Sequence, residues 1–220
     1  MLKKSNVAEE HMQNYAVIYF FMLVLFLIGI VFGAVIVNSM NFIQTNDLFF
    51  YLDRFFVHIT EEPFINTQEM FKESFLYHLQ FMLLLFILGL SIIGLPIIWI
   101  LLFVKGLVVG FTVGFFVNQL GWQGFLFAAA SIAPQNFIII PVYLIAASVA
   151  MIFSMTLLQK LFSRKLQQPI LAPFMRYSVL FLCLMIVLAA ASFIEAFVSN
   201  NAMQMVVEWM YNQELLLSKK

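Results

Sequence analysis

The sequence predicts an all-α protein, a polytopic transmembrane helical bundle with about five spans. Of its 220 residues, 64% are hydrophobic and only 10% are charged, whereas soluble domains are about 45 to 50% apolar. Apolar runs long enough to cross the roughly 30 Å hydrocarbon core of a bilayer recur along the chain. Basic connections alternate with connections that are acidic or uncharged, as they do when a chain crosses a membrane repeatedly.

The first run, residues 15–37, is longer than the apolar region of a signal peptide, which is about 7 to 15 residues. We therefore expect it to be a retained span that follows a cytoplasmic N-terminus, residues 1–14. The whole chain, residues 1–220, is predicted to be a single integral membrane domain. The other predicted spans are residues 81–104, 106–120, 125–158 with a break near 134, and 177–198.

Lys105 decides the boundary between the second and third predicted spans. A lysine at the centre of a membrane helix costs about 2.5 to 3.5 kcal/mol on insertion scales. This cost favours a tight hairpin that places Lys105 at the membrane interface. The alternative ends the second span near Pro96 and buries Lys105 in the middle of the membrane.

Short cytoplasmic loops are enriched in lysine and arginine, and the charges of this chain follow that rule. The N-terminus, the turn at Lys105 and the loop 159–176 are basic, whereas the loop 38–80 is mainly acidic. Five spans therefore place the N-terminus in the cytoplasm and the tail, residues 199–220, outside. The net charge of zero excludes a strongly basic nucleic-acid binder, and the single Cys183 excludes an intrachain disulfide.

The first outer loop contains a predicted amphipathic helix that starts near Asp47. A second helix is predicted to start at Asn66, with Glu69 completing a capping box, and a weaker amphipathic pattern recurs between Met203 and Leu217. Such helices lie in the membrane interface. We expect the apolar stripe of the first one to contact membrane lipid or a protein partner; it consists of Leu48, Phe49, Leu52, Phe55, Phe56 and Ile59.

Glycines at four-residue spacing predict close helix packing, because spans associate where their backbones can approach. Packing within the chain is the favoured interpretation, and a homo-oligomer interface is the alternative. The residues are Gly29 and Gly33 in the first span and Gly106, Gly110 and Gly114 in the third.

Polar residues and prolines interrupt the fourth predicted span. Pro134 removes a backbone donor, and irregular backbone at membrane depth must be covered by protein or water. Pro134, Gln135, Asn136 and Pro141 therefore mark either a functional cavity or a helix that begins after an outer re-entrant turn. Both interpretations stay open at the level of the sequence.

The sequence predicts no catalytic residues, no metal and no cofactor. It lacks H-E-x-x-H and a P-loop, and no histidine lies inside a predicted span. An outer-loop metal site that uses His58 and His78 is a minor alternative. The remaining candidate is the intramembrane acid Glu195. The favoured interpretation is that it reaches the interface or makes a helix-to-helix hydrogen bond, and a functional role inside the span is the alternative.

Several of these stretches resemble the stage II sporulation protein M family of endospore-forming bacteria. They are the glycine run after Lys105, the segment from Pro134 to Pro141, Val37 to Ser39 and Asp47 to Leu52. The resemblance extends over nearly the whole chain. In the wider superfamily we expect a Pro-His-Gly element followed by Glu at the break, which this chain lacks. That departure weakens the idea of a titrating or metal-binding centre there.

The resemblance implies a membrane protein on the mother-cell side of the sporulation septum, active in engulfment of the forespore. It also implies a non-catalytic scaffold that anchors and localises wall-cutting partners, the stage II sporulation proteins D and P. The rival interpretation is a permease-like subunit that serves an ATPase, with the basic loop 159–176 as its coupling surface. The absence of an internal repeat in the sequence counts against it.

Overall fold

The computed structural model describes residues 7–61, 67–162 and 170–199, and within them it contains helices and no strand. Side chains are described for most of these residues. The predicted cap Asn66, the basic residues Arg164 and Lys165, and the tail beyond residue 199 lie outside the described part. The helices are α1 (Val7–Asn38), α2 (Phe42–Glu61), α3 (Thr67–Gly89), α4 (Gly94–Ser131), α5 (Ala133–Phe162), α6 (Leu171–Ile194) and a π-helical turn (Glu195–Ser199).

Within the described residues, five helices are long and apolar enough to cross a membrane, which confirms the predicted fold class and number of spans. The span in α5 is the central one. In its most apolar stretch 61% of the residues are buried, whereas in the other four spans the share is 22 to 33%. The segments are Tyr15–Asn38, Gln68–Gly89, Gly94–Ala130, Ala133–Phe162 and Leu171–Phe197.

Helix directions alternate as five successive crossings require. Helices α1 and α4 are parallel, because Phe26 lies beside Gly106 and Ala34 lies beside Gly114. Helices α3 and α5 are also parallel. His78 lies beside Tyr143, and further along both helices Gly89 lies beside Ala150. The first and third spans thus run in one direction, and the second and fourth spans also share a direction.

The predicted hairpin at Lys105 is wrong, and so are the span boundaries 81–104 and 106–120. Helix α3 already ends at Gly89, residues 90–93 form the turn, and α4 continues through Lys105 without a break. Lys105 lies about 17 Å along α4 from Gly94 at 1.5 Å per residue, close to the middle of a hydrocarbon core of about 30 Å. Lys105 therefore lies inside a continuous apolar helix, as in the alternative interpretation, although the preceding helix ends at Gly89 and not near Pro96.

Helix α4 reverses at Gly121, whose φ of 57° and ψ of −131° are not helical. A side chain is strongly disfavoured there, so glycine permits the turn. The residues that follow fold back on the helix, because the Phe127 ring lies 4.8 Å from the Phe116 ring. The predicted fourth span, residues 125–158, is corrected accordingly: its first residues belong to this returning segment, and α5 begins at Ala133.

The predicted amphipathic helix in the outer loop corresponds to α2, which begins at Phe42, earlier than expected. It makes no extensive contact with the other described helices. In the predicted apolar stripe, Leu48 is half-buried and Phe49 is exposed. The side chains of its other members, Leu52, Phe55, Phe56 and Ile59, lie outside what the structure describes.

Candidate functional site

A cavity of about 470 Å³ lies among α1, α3, α4, α5 and the start of the π-helical turn. Its volume falls in the range of about 300 to 1,000 Å³ that is usual for ligand pockets. Polar side chains from four separate segments face it, although these segments are membrane spans. The polar lining residues are Glu73, Ser74, Tyr77, His78, Lys105, Thr112, Gln135, Asn136, Tyr143 and Glu195.

Lys105 is held in this cavity by aromatic rings. Its Nζ donates a hydrogen bond of 2.9 Å to the Tyr77 hydroxyl. The same atom lies 4.3 Å from the ring centroid of Tyr77, 4.6 Å from that of Phe81 and 5.3 Å from that of Tyr143. A cation–π contact is worth about 0.5 to 1 kcal/mol at an exposed site and about 2 kcal/mol when it is desolvated. Together these contacts reduce the insertion cost that favoured a hairpin.

Glu195 connects the end of α6 to two other helices. Its Oε1 accepts a hydrogen bond of 3.1 Å from Nε2 of Gln135 on α5. Its Oε2 accepts a short hydrogen bond from the Ser74 hydroxyl on α3 and lies 3.3 Å from Nε2 of His78. The structure therefore shows the helix-to-helix hydrogen bond that the sequence offered as one interpretation of Glu195.

His78 is buried between Glu195 and Tyr143. Its Nδ1 lies 2.6 Å from the Tyr143 hydroxyl. When Glu195 is ionised, it accepts from Nε2–H of a neutral imidazole, and Nδ1 then accepts from the tyrosine hydroxyl. A continuous chain of hydrogen bonds thus joins Tyr143, His78, Glu195 and Gln135. The expectation that no histidine lies inside a span is wrong, because the second span begins at Gln68.

The residues of the predicted break combine the two interpretations that the sequence left open. Pro134 lies in the first turn of α5, where a missing N–H costs little, and Asn136 Nδ2 donates 2.8 Å to the Ile132 carbonyl. Gln135 and Asn136 also line the cavity. Pro141 lies inside α5, is exposed and does not line the cavity.

The five predicted packing glycines lie in one contact between α1 and α4. A Cβ atom added at Gly29, Gly33, Gly106 or Gly110 would come within 2.0 to 2.4 Å of a backbone oxygen of the other helix. At Gly114 the nearest atom would be Ala34 Cα at 3.3 Å. The glycines thus act within the chain, and the contact fixes α4 and with it the position of Lys105.

Sequence reasoning missed the part of the cavity that α3 contributes. Ser74, Tyr77, His78 and Phe81 have the spacing i, i+3, i+4, i+7 and share one helix face. The helix predicted to start at Asn66 contains this stripe of polar and aromatic residues, but the predicted span began only at Phe81 and so left Ser74, Tyr77 and His78 outside the membrane. In the described residues, no group of three or more His, Cys, Asp or Glu side chains could hold a metal ion.

The comparisons with known proteins give one match. A family model described as stage II sporulation protein M matches residues 22–200. This range contains every residue that lines the cavity and all five packing glycines. Comparison with curated proteins and with solved structures gives no match.

Proposed function

This chain belongs to the stage II sporulation protein M family, and from that membership we propose that it is a membrane scaffold for cell-wall degradation during engulfment. It is a membrane protein with a role in sporulation. In the proposal it has no catalytic activity of its own. It anchors and localises the stage II sporulation proteins D and P on the mother-cell side of the septum, where they cut peptidoglycan.

The family match over residues 22–200 is the observation that carries this proposal. The geometry of α2 supports it. This helix follows the first span and makes no extensive contact with the other helices that the structure describes. It exposes the aromatic side chains of Phe42, Phe49, Phe50 and Tyr51. If the N-terminus is cytoplasmic, α2 lies on the outer face, on the same side of the membrane as the wall.

The test replaces three residues of the stripe, Phe49, Leu52 and Phe56, by serine together. The matched control is Tyr51→Ser, which removes an exposed aromatic ring from the same helix outside the stripe. We expect the triple variant to lose co-purification of proteins D and P from membranes of sporulating cells, whereas the control retains it. Equal recovery of both partners with the triple variant and with the control would remove the stripe from the proposal.

A permease-like subunit is the second candidate, and the polar cavity is the observation that favours it. Charged residues inside spans often mark the route of a substrate or proton. The two candidates differ in the phenotype of a deletion strain. Arrested engulfment with a persistent septal wall supports the scaffold, whereas normal engulfment with altered solute uptake supports the permease-like subunit.

A further inference from the structure

The cavity contains two opposite charges that do not satisfy each other. Lys105 and Glu73 both line it, yet no ion pair joins them. Among the described residues the ammonium group makes one hydrogen bond, to Tyr77, and the Glu73 carboxylate makes none. A lysine ammonium has three donors, so two remain for a ligand.

The other ionisable groups of the cavity are already in use. Glu195 accepts hydrogen bonds from Ser74 and Gln135 and contacts His78. The second ring nitrogen of His78 contacts the Tyr143 hydroxyl. The charges left for a ligand are therefore those of Lys105 and Glu73.

Glu73 lies four residues before Tyr77 on α3, on the same helix face and about 6 Å along the axis. Glu73 is exposed and Lys105 is half-buried beside the Tyr77 hydroxyl. The cation and the anion thus line the same cavity at different degrees of burial. A bound anion alone would meet the Glu73 and Glu195 carboxylates, and a bound cation alone would meet the Lys105 ammonium.

We propose that this cavity binds a zwitterion. Its phosphate or carboxylate group is bound by Lys105 Nζ, and its primary ammonium group is bound by the Glu73 carboxylate. Two sources supply this chemistry: the aminoethyl phosphate headgroup of a membrane lipid, or a soluble molecule of the same kind. Tyr77 and Val108 are 57% and 49% exposed on the rim, so the cavity is accessible from the surface of the spans.

Native mass spectrometry of the detergent-purified full chain tests the proposal. The probes are phosphatidylethanolamine, phosphatidylglycerol, which has the phosphate without the ammonium group, and soluble O-phosphoethanolamine. We expect phosphatidylethanolamine or O-phosphoethanolamine to bind at least tenfold more tightly than phosphatidylglycerol. Displacement of phosphatidylethanolamine by O-phosphoethanolamine identifies a soluble ligand, and retention of the lipid identifies the headgroup.

Two variants and two controls assign the binding to the cavity. Lys105→Met and Glu73→Gln should each weaken binding of the zwitterion at least tenfold. Glu69→Gln, at an exposed position of α3 outside the cavity, and Arg176→Gln, at an exposed position of α6, should leave it unchanged.

Because Glu73 is exposed, its variant keeps the test valid even where Lys105→Met alters folding. Equal binding of the two lipids without an effect of either variant would overturn the proposal and leave a cavity that holds water. Binding is measured on purified protein and does not depend on engulfment. A negative binding result is therefore distinguishable from a failure of the scaffold proposal.

Discussion

The contact of α1 with α4 at Gly110 predicts the effect of a single methyl group. A Cβ atom at this position would lie 2.0 Å from the Ile30 carbonyl oxygen and 2.7 Å from Ile30 Cα. Ordinary van der Waals contact begins at 3.4 Å, so the shortfall is 3.4 − 2.0, or about 1.4 Å. The obstructing atoms belong to backbone and cannot rotate away. Gly110→Ala must therefore move one helix away from the other.

Overpacking of this kind costs about 1 to 3 kcal/mol. The higher helix propensity of alanine stabilises the helix by up to about 1 kcal/mol. Because the obstructing atoms are backbone, we expect a packing cost of about 3 kcal/mol. The free energy of unfolding should therefore fall by about 2 kcal/mol. Gly114→Ala is the matched control: its Cβ would lie 3.3 Å from Ala34 Cα, and we expect its stability to stay within about 0.5 kcal/mol of the original.

The measurement is the free energy of unfolding from titration of the protein in mixed micelles with sodium dodecyl sulfate, followed by circular dichroism. We expect Gly110→Ala to unfold at a lower mole fraction of the denaturing detergent than Gly114→Ala. If the two variants unfold together, α1 and α4 do not approach each other as closely as the structure shows. In that case the α1–α4 contact would not fix the position of Lys105 in the cavity.

Three further predictions use the same titration. Gly121→Ala should cost about 1 to 2 kcal/mol although no atom lies within 4 Å, because its positive φ disfavours any side chain; unchanged stability would show a different turn. Tyr177→Phe should cost about 1 kcal/mol, because it removes the 2.9 Å hydrogen bond to the Phe86 carbonyl, and a neutral result would mean that this contact does not form. Glu195→Leu should cost about 1 to 3 kcal/mol more than Glu195→Gln, because leucine leaves the donors of Gln135 and Ser74 unpaired; equal stability of the two variants would contradict the network.

The parts of the fold that the sequence predicts correctly depend on local properties. The thickness of the hydrocarbon core sets the length of each span, so apolar runs alone predict five crossings. Spacing along one helix is also local, and it identifies Gly106, Gly110 and Gly114 as a packing face. Which helix packs against that face is not a local property. The first span is nevertheless the only other span with glycines at four-residue spacing, Gly29 and Gly33, and it is the helix that packs there.

The sequence fails where distant residues compensate a local cost. An insertion scale assigns Lys105 the cost of an isolated lysine. The rings of Tyr77, Phe81 and Tyr143 reduce that cost, but they belong to other helices and approach Lys105 only in the folded bundle. A second span that ends before a hairpin at Lys105 covers residues 81–104 and so leaves His78 outside it. The wrong hairpin at Lys105 and the wrong placement of His78 are therefore connected.

A scaffold requires spans of sufficient length and an outer surface, and neither requires charged groups inside the bundle. The polar cavity is therefore a second feature, and Lys105→Met separates it from the scaffold. If α2 alone carries the sporulation role, cells with this variant should complete engulfment, visible as thinning of the septal wall, although the purified variant no longer binds the zwitterion. Arrested engulfment despite normal protein levels and normal recovery of proteins D and P would instead place the cavity inside the process. In that case the outer surface would be insufficient, and a bound ligand would regulate or stabilise the complex.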